Sequence, residues 1–336
     1  MRQTPGNVRC SRSHRTGQIR VEPRTVRTLS VCLCGNTDTV SCLRSYSRDH
    51  PLFLQPSNYF WEKNQSLNQL PYGIQGVGFL LRKFLTLTKS YNVPPEIERL
   101  LCKRCIVVGN GFRLKNSLLG EVIDSYDIVI RLNNACVYKH QKDVGKKTTM
   151  RFFYPESADF NQRLDNNPDS LMVLVPFKPM DINWMNKMMK GDMWVRFWKR
   201  PPRRWKVNPE NVRIFNPYFM KFAATKLLIL EENWKNKTRV VIPSLPPRIT
   251  PPTCRTDSHV PTLGLLGITF ALHFCDLVHV AGFGYPPVSV NNTESIHYYD
   301  RVSLKSMDRT LHNITLEAIA IKQLLQDRLI HNLTYF

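Results

Sequence analysis

The stretch from residue 102 to 157 constrains the fold of this chain more than any other. Ile106, Val107 and Val108 form a short β-branched apolar run, which predicts a buried strand. Gly109-Asn110-Gly111 follows at once, and glycines there let the backbone turn sharply and come close to a ligand. Residues 117–126 predict a helix with Leu118, Leu119 and Val122 on one face and Gly120 as a mild misfit. Residues 127–130 predict a second strand that stops at Arg131-Leu132-Asn133-Asn134. Strand, glycine turn, helix and strand make a βαβ unit, whose ligand sits at the carboxyl ends of the strands.

The glycine turn is not a dinucleotide fingerprint. It lacks the third glycine, and no acidic residue ends the second strand where a ribose would be held. Taken alone it suits an ordinary tight βα turn equally well. Asn110 and Asn133-Asn134 change the reading, because carboxamides at strand ends can donate to phosphate or ribose oxygens and accept from a base. The expectation is a nucleotide cleft without a dinucleotide signature.

The rest of the chain extends the same alternation. Residues 171–175, 212–215 and 277–282 read as strands, and residues 78–90, 181–189, 219–230, 265–274 and 316–329 as helices. In the last helix Ile319, Ala320 and Leu324 are expected to face inward. Tyr59, Phe60 and Trp61 supply aromatic anchors near the front, and residues 233–260, rich in Pro, Arg and Lys, have a loop's composition. The alternation predicts an α/β sandwich on a mainly parallel sheet. Residues 1–45 are Arg-rich, without hydrophobic period, and are expected to be a basic, disordered segment before a single domain over 46–336.

Charge and cysteines narrow the partners. The net charge is +21, much of it in residues 1–45 and in the run 199–204. No zinc-finger spacing, RNA-binding aromatic signature or basic-region heptad accompanies it, so a solvated basic surface is expected rather than a nucleic-acid partner. The chain has nine cysteines and five N-glycosylation sequons, at Asn64, Asn236, Asn291, Asn313 and Asn332, which together point to the secretory pathway. Cys102 and Cys105 have no second pair to complete a zinc site.

Four motifs in order now carry a resemblance. The block 102–157, PTLGLLGITFALHFCDLVHVAGFGYP from Pro261, HYYD at 297–300 and HNITLE at 312–317 resemble the large, small and two short motifs of the animal sialyltransferases, glycosyltransferase family 29. With SYSRDHPLFL, FWEKN and LPYG near the front, the match runs from about residue 45 to the end, and the β-galactoside α-2,3 branch resembles it most. The resemblance implies a GT-A-like variant fold with a Rossmann-like nucleotide-binding core. It implies transfer of sialic acid from CMP-N-acetylneuraminate to the 3-hydroxyl of terminal β-galactose on glycoproteins or glycolipids. It also implies a Golgi enzyme.

Residue by residue, the resemblance makes His312 the general base of a single inverting displacement and His297 the group that donates to the leaving phosphate. Without it, His312 would read simply as the start of the last helix. Tyr154 matches a position near the donor phosphate. Asn110, Asn133, Thr262, Gly264 and Gly284 match nucleotide-contacting positions. Glu317 could orient the base or support the fold. Cys105 and Cys275 match the cysteines that join the large and small motifs, and Cys102 is expected to pair with an N-terminal cysteine.

No DxD motif is present and the donor has a single phosphate, so no metal or cofactor is expected. Three features depart from the family pattern. Leu263 stands where a hydroxyl residue is usual, Cys136 where Pro is common, and Asp300 where Glu is usual. Leu263 and Cys136 motivate a second reading: a weak or inactive homologue that still binds nucleotide or glycan. Residues 1–45 hold no run near the roughly 20 apolar residues that span a bilayer, so the family's usual anchor is not visible and a divergent leader is expected.

Overall fold

The computed structural model describes residues 46–57, 68–191, 201–202, 207–228, 260–284, 295–303 and 312–334. The aromatic anchors 59–61, the basic run 199–204 apart from its two prolines, the loop 233–259, the N-terminal segment and the sequons at Asn64, Asn236 and Asn291 lie outside them.

Seven parallel strands form one sheet: β1 (Arg104–Val108), β2 (Ile128–Leu132), β3 (Met150–Phe153), β4 (Leu171–Leu174), β5 (Val212–Ile214), β6 (Leu277–Ala281) and β7 (His331–Asn332). Their order is β5-β4-β3-β2-β1-β6-β7. The chain therefore steps outward from β1 to one edge, returns to the other side of β1, and creates a switch point between β1 and β6. A parallel sheet must be covered on both faces, which explains why its strands are almost uninterrupted apolar runs.

Helices cover both faces: α1 (Gly78–Thr88), α2 (Pro95–Glu98), α3 (Gly120–Asp124), α4 (Gln141–Val144), α5 (Pro179–Lys190), α6 (Pro217–Phe222), α7 (Leu263–Phe274) and α8 (Ile314–Gln326). On one face α6 and α7 pack against Val107, Ile130, Phe152 and Val173. On the other, Leu81, Phe84, Ile182, Trp184 and Met185 of α1 and α5 meet Phe153, Met172 and Leu174, while Ile123 and Val144 meet Ile106, Val108 and Val129. In α7 every residue except Gly264 is buried, as a helix apolar all round must be. A Cβ on Gly267 would stand 3.1 Å from both Val107 and Leu132, so this glycine sets how closely α7 presses on the sheet.

Several expectations are corrected. The helix read over 117–126 shrinks to α3, because the Asp143 carboxylate captures the N–H groups of Asn116 and Leu118 at 2.9 and 3.0 Å. Leu118 consequently turns to positive φ and lies exposed instead of facing the core. Gly120 is no misfit: a Cβ there would come within 2.1 Å of the Gln141 carbonyl oxygen, where α3 meets α4. Ile319 points to solvent, and Ile321 is buried beside Ala320 and Leu324. The helix after Pro217 leaves α geometry at Ala223–Leu227, a π-helical turn. Two strands were missed: β7, only two residues long, and β3, whose Arg151 hides a buried strand.

Candidate active site

Carboxyl ends of the strands carry Asn110, Asn133, Tyr154 and Gly284 of the expected site residues, whereas Thr262 and Gly264 start α7, His312 precedes α8 and His297 lies in a loop. Gly109-Asn110-Gly111 leaves β1 and meets Gly282-Phe283-Gly284 leaving β6. Gly109 N–H donates to Ala281 O and Gly111 N–H to Gly282 O, both at 2.8 Å. A Cβ on Gly109 or on Gly111 would lie 2.5 Å from the Gly282 carbonyl oxygen, so two backbones touch here only because neither carries a side chain. Gly282 has φ +72°, and a Cβ on it would collide with Leu114. Thr334 seals the turn from the sheet edge by accepting the Gly282 N–H at 3.1 Å.

At the end of β2, Asn133 adopts φ +55° and donates its N–H to Phe152 O at 2.8 Å. Arg151, fully buried on β3, holds this turn by donating to the carbonyls of Asn133 and Ala135 at 2.9 and 3.0 Å and to that of Asp165 at 2.7 Å. Burial and the neighbouring Arg131 guanidinium lower its pKa to about 10, still charged at neutral pH. Nothing in the sequence pattern marked Arg151 as a buried brace, since arginine is rarely buried without a partner. The side-chain oxygens of Asn110 and Asn133 are buried and have no hydrogen-bond partner. Unmatched buried acceptors are costly.

Tyr154 follows β3, half-buried, its ring edge-on to Phe177 at 5.7 Å. Ser157 Oγ accepts its N–H at 3.1 Å and donates to its carbonyl at 3.0 Å. Burial, then the Glu156 carboxylate, raises its phenol pKa, so the hydroxyl remains a proton donor at neutral pH.

Residues 297–300 close over β1. His297 bridges Gly111, and Tyr298 N–H donates to Asn110 O at 3.1 Å. Tyr298 OH donates to Cys136 O at 2.7 Å, so the backbone of Cys136 is used, whatever side chain it carries. His297 Nδ1 meets Asp300 Oδ2 at 2.9 Å. The shortened acid still reaches its histidine, and a carboxylate on Nδ1 leaves Nε2 as the nitrogen that faces other groups.

The last cluster joins α7 to α8. Thr262 caps α7, its Oγ accepting Leu265 N–H at 3.2 Å. Glu317, buried on α8, accepts the Thr262 N–H at 2.7 Å and hydroxyl at 2.5 Å. Burial holds its carboxyl up at about 7. His312 Nδ1 lies 2.6 Å from Val260 O, so Nδ1 carries a proton and Nε2 is the basic nitrogen of the neutral ring. Among the bonds described for it, Glu317 engages Thr262. Gly264 lies under the Phe283 ring, which a Cβ would approach to 3.2 Å. Leu263 is buried in the core, which turns its apolar side chain away from the cap.

Cys105 and Cys275 form a disulfide between the start of β1 and the end of α7, 170 residues apart. Cys102 is half-buried, and the N-terminal cysteines lie outside the described residues. Two sequons are described. Asn313 caps α8 through its side-chain oxygen at 3.0 Å from Leu316 N, whereas the Asn332 amide nitrogen is buried. Among the described residues, no three His, Cys, Asp or Glu side chains gather as a metal-holding group, and no helix is long and apolar enough to cross a membrane.

A parallel α/β sheet whose strands β1 and β6 end in touching glycine turns at the switch point has the architecture of the nucleotide-binding α/β class. The comparisons carry this further. The model of glycosyltransferase family 29 (sialyltransferase) matches residues 53–329. CMP-N-acetylneuraminate-beta-galactosamide-alpha-2,3-sialyltransferase 4 of Rattus norvegicus is 51% identical over 294 residues, covering 87% of this chain and 82% of its own. Its Homo sapiens counterpart is 48% identical over 309 residues, covering 91% and 86%. The crystal structure of a mammalian sialyltransferase in complex with Gal-beta-1-3GalNAc-ortho-nitrophenol superposes with a TM-score of 0.60 at 26% identity, covering 86% of this chain and 92% of that one. The chain belongs to the sialyltransferases of glycosyltransferase family 29, and is a glycosyltransferase.

Proposed function

We propose that this enzyme transfers sialic acid from CMP-N-acetylneuraminate to the 3-hydroxyl of terminal β-galactose on glycoprotein or glycolipid glycans. The His297 imidazole bridged to the turn after β1 and two buried, unpartnered asparagine oxygens at the ends of β1 and β2 support this reading, together with relatives named for α-2,3 transfer. Asn110, Asn133, Thr262, Gly264 and Gly284 hold the nucleotide. The galactose hydroxyl attacks the anomeric carbon, its proton passes to His312 Nε2, and the bond to the CMP phosphate breaks in the same displacement. His297, backed by Asp300, and the Tyr154 hydroxyl stabilise the charge that develops on that phosphate. A monophosphate leaving group needs no more than this, so transfer proceeds without a metal.

Leu263 points into the core and Cys136 contributes its carbonyl, so neither substitution removes a group from the crevice; this favours an active enzyme over a binding-only homologue. Residues 46–336 act as one catalytic domain after a basic N-terminal segment. A disulfide between two buried cysteines suits the oxidising secretory lumen, and the family's Golgi address follows. Of the two described sequons, Asn313 is the better placed to carry a glycan, since its side-chain oxygen can cap α8 while its nitrogen bears a sugar.

Transfer of labelled sialic acid from CMP-sialic acid to N-acetyllactosamine tests the reading. The wild-type chain is expected to transfer with excess EDTA present, and His312→Ala to lower kcat by about 10²–10⁴-fold. Undiminished transfer by His312→Ala removes the base assignment. Loss of all transfer in EDTA removes the metal-free mechanism.

A further inference from the structure

We propose that Tyr299 is a positioning residue that sets the hydrogen-bonding polarity of the crevice by coupling the carboxamides of Asn110 and Asn134. The inference rests on reading the crevice as the CMP site and goes beyond it by assigning a residue that touches neither nucleotide nor sugar in order to act.

Tyr299 OH donates to Asn134 Oδ1 at 2.9 Å and accepts from Asn110 Nδ2 at 3.1 Å. The phenol thus spans the turns after β1 and β2. It has one proton, so it can donate to only one of the two amides. While the phenol proton is given to one of these amides, that asparagine turns its oxygen to the phenol and the other its nitrogen. The two amides therefore cannot both present oxygen, or both nitrogen, to a ligand. In the sense seen here Asn110 keeps Oδ1 on its far side, buried and unmatched. Burial, the largest cause, raises the Tyr299 pKa far above the usual phenol value, so the proton that sets the relay stays in place at any working pH.

The loop that carries Tyr299 is pinned independently. Tyr298 N–H bonds Asn110 O and Tyr298 OH bonds Cys136 O, one contact to each turn. Removing the Tyr299 hydroxyl therefore leaves the loop anchored. The ring also stacks on His297, with centroids 5.3 Å apart and planes 7° apart, and phenylalanine would keep that stack.

The relay has a consequence for what is read. A lone Asn110 Oδ1 needs a donor, such as a sugar hydroxyl or an exocyclic amine, and cannot serve a phosphate oxygen. The Asn133 Oδ1, equally buried and unmatched, makes the same demand. This end of the crevice recognises the nucleoside, and Tyr299 tunes that part alone.

The full chain and its Tyr299→Phe variant are titrated calorimetrically with CMP and with cytidine, and assayed for transfer against pH. Tyr299→Phe is expected to weaken both ligands alike, by about tenfold, the loss of one oriented hydrogen bond. The donor KM should rise in parallel, with the acceptor KM and the pH profile of kcat unchanged. In the background of Asn110→Ala, Tyr299→Phe should add almost nothing, because it acts through that amide. If Tyr299→Phe does not fold, Asn134→Ala takes its place: it removes the acceptor that holds the relay and should weaken cytidine as well. Wild-type binding of CMP with equal affinity in the variant that folds overturns the relay, as does a loss confined to CMP and absent for cytidine. No binding of CMP by the wild type would instead remove the nucleotide reading on which the relay stands.

Discussion

The two walls of the crevice are built differently. The β1–β3 wall, with Gly109–Gly111, Asn133, Asn134 and Tyr154, is held by backbone bonds between strand ends and by one guanidinium, Arg151, that meets three carbonyls at once. The opposite wall, Val260–Gly264 with His312–Glu317, depends on side chains. One buried carboxylate grips Thr262 twice, and one carbonyl holds the imidazole. The first wall relies on a guanidinium with a pKa of about 10, charged at neutral pH; the second relies on a carboxyl poised at about 7. Positioning by topology and positioning by a titratable clasp predict different failures.

The disulfide is common to both walls, since it ties the start of β1 to the end of α7. Closing a separation of 170 residues stabilises by about 5 kcal/mol in the chain-entropy model. Cys275→Ser is therefore expected to give the largest loss of stability, read by denaturant titration. A loss under about 1 kcal/mol would mean the walls are held together by packing alone.

Arg151→Met isolates the first wall. It strands three carbonyls and the Asn166 side-chain oxygen, each costing about 1 kcal/mol or more. A loss of about 4 kcal/mol is expected, together with a raised donor KM, because the Asn133 turn loosens. Unchanged donor KM in a stable variant would show that the turn holds itself.

Glu317 isolates the second wall and carries the smallest effect, about 1–3 kcal/mol, with a distinct pH signature. Its folded pKa, about 7, lies above the unfolded 4.5. Its contribution is thus fully present below pH 4.5 and is lost as pH rises through 7. Glu317→Gln keeps the bond from Thr262 N–H through Oε1 and can replace the other by donating Nε2–H to Thr262 Oγ, without titrating. Wild-type melting temperature should fall across that window relative to the glutamine variant. Parallel curves would show that the carboxyl titrates as it does in the unfolded chain.

Local sequence determined the strands, glycine turns and caps of the site, because each is a short-range consequence of residue type: β-branched runs extend, glycines permit contact, and Asn216 and Thr262 cap helices through their own side chains. The four ordered motifs further identified the family. Whatever needed a partner distant in the chain stayed hidden. Residues 117–119 looked helical until Asp143 took the N–H groups of Asn116 and Leu118, and β3 was obscured by an arginine whose partners lie at 133, 135, 165 and 166. Glu317 could be read as orienting the base or, with a slight lean, as support, and only packing α8 against the start of α7 gave it Thr262. Tyr299 passed as a loop aromatic because the two amides that give it a purpose lie 189 and 165 residues away. Hydrogen bonds across such separations are decided by topology, which brings the strand ends together; periodicity along the chain carries no trace of them.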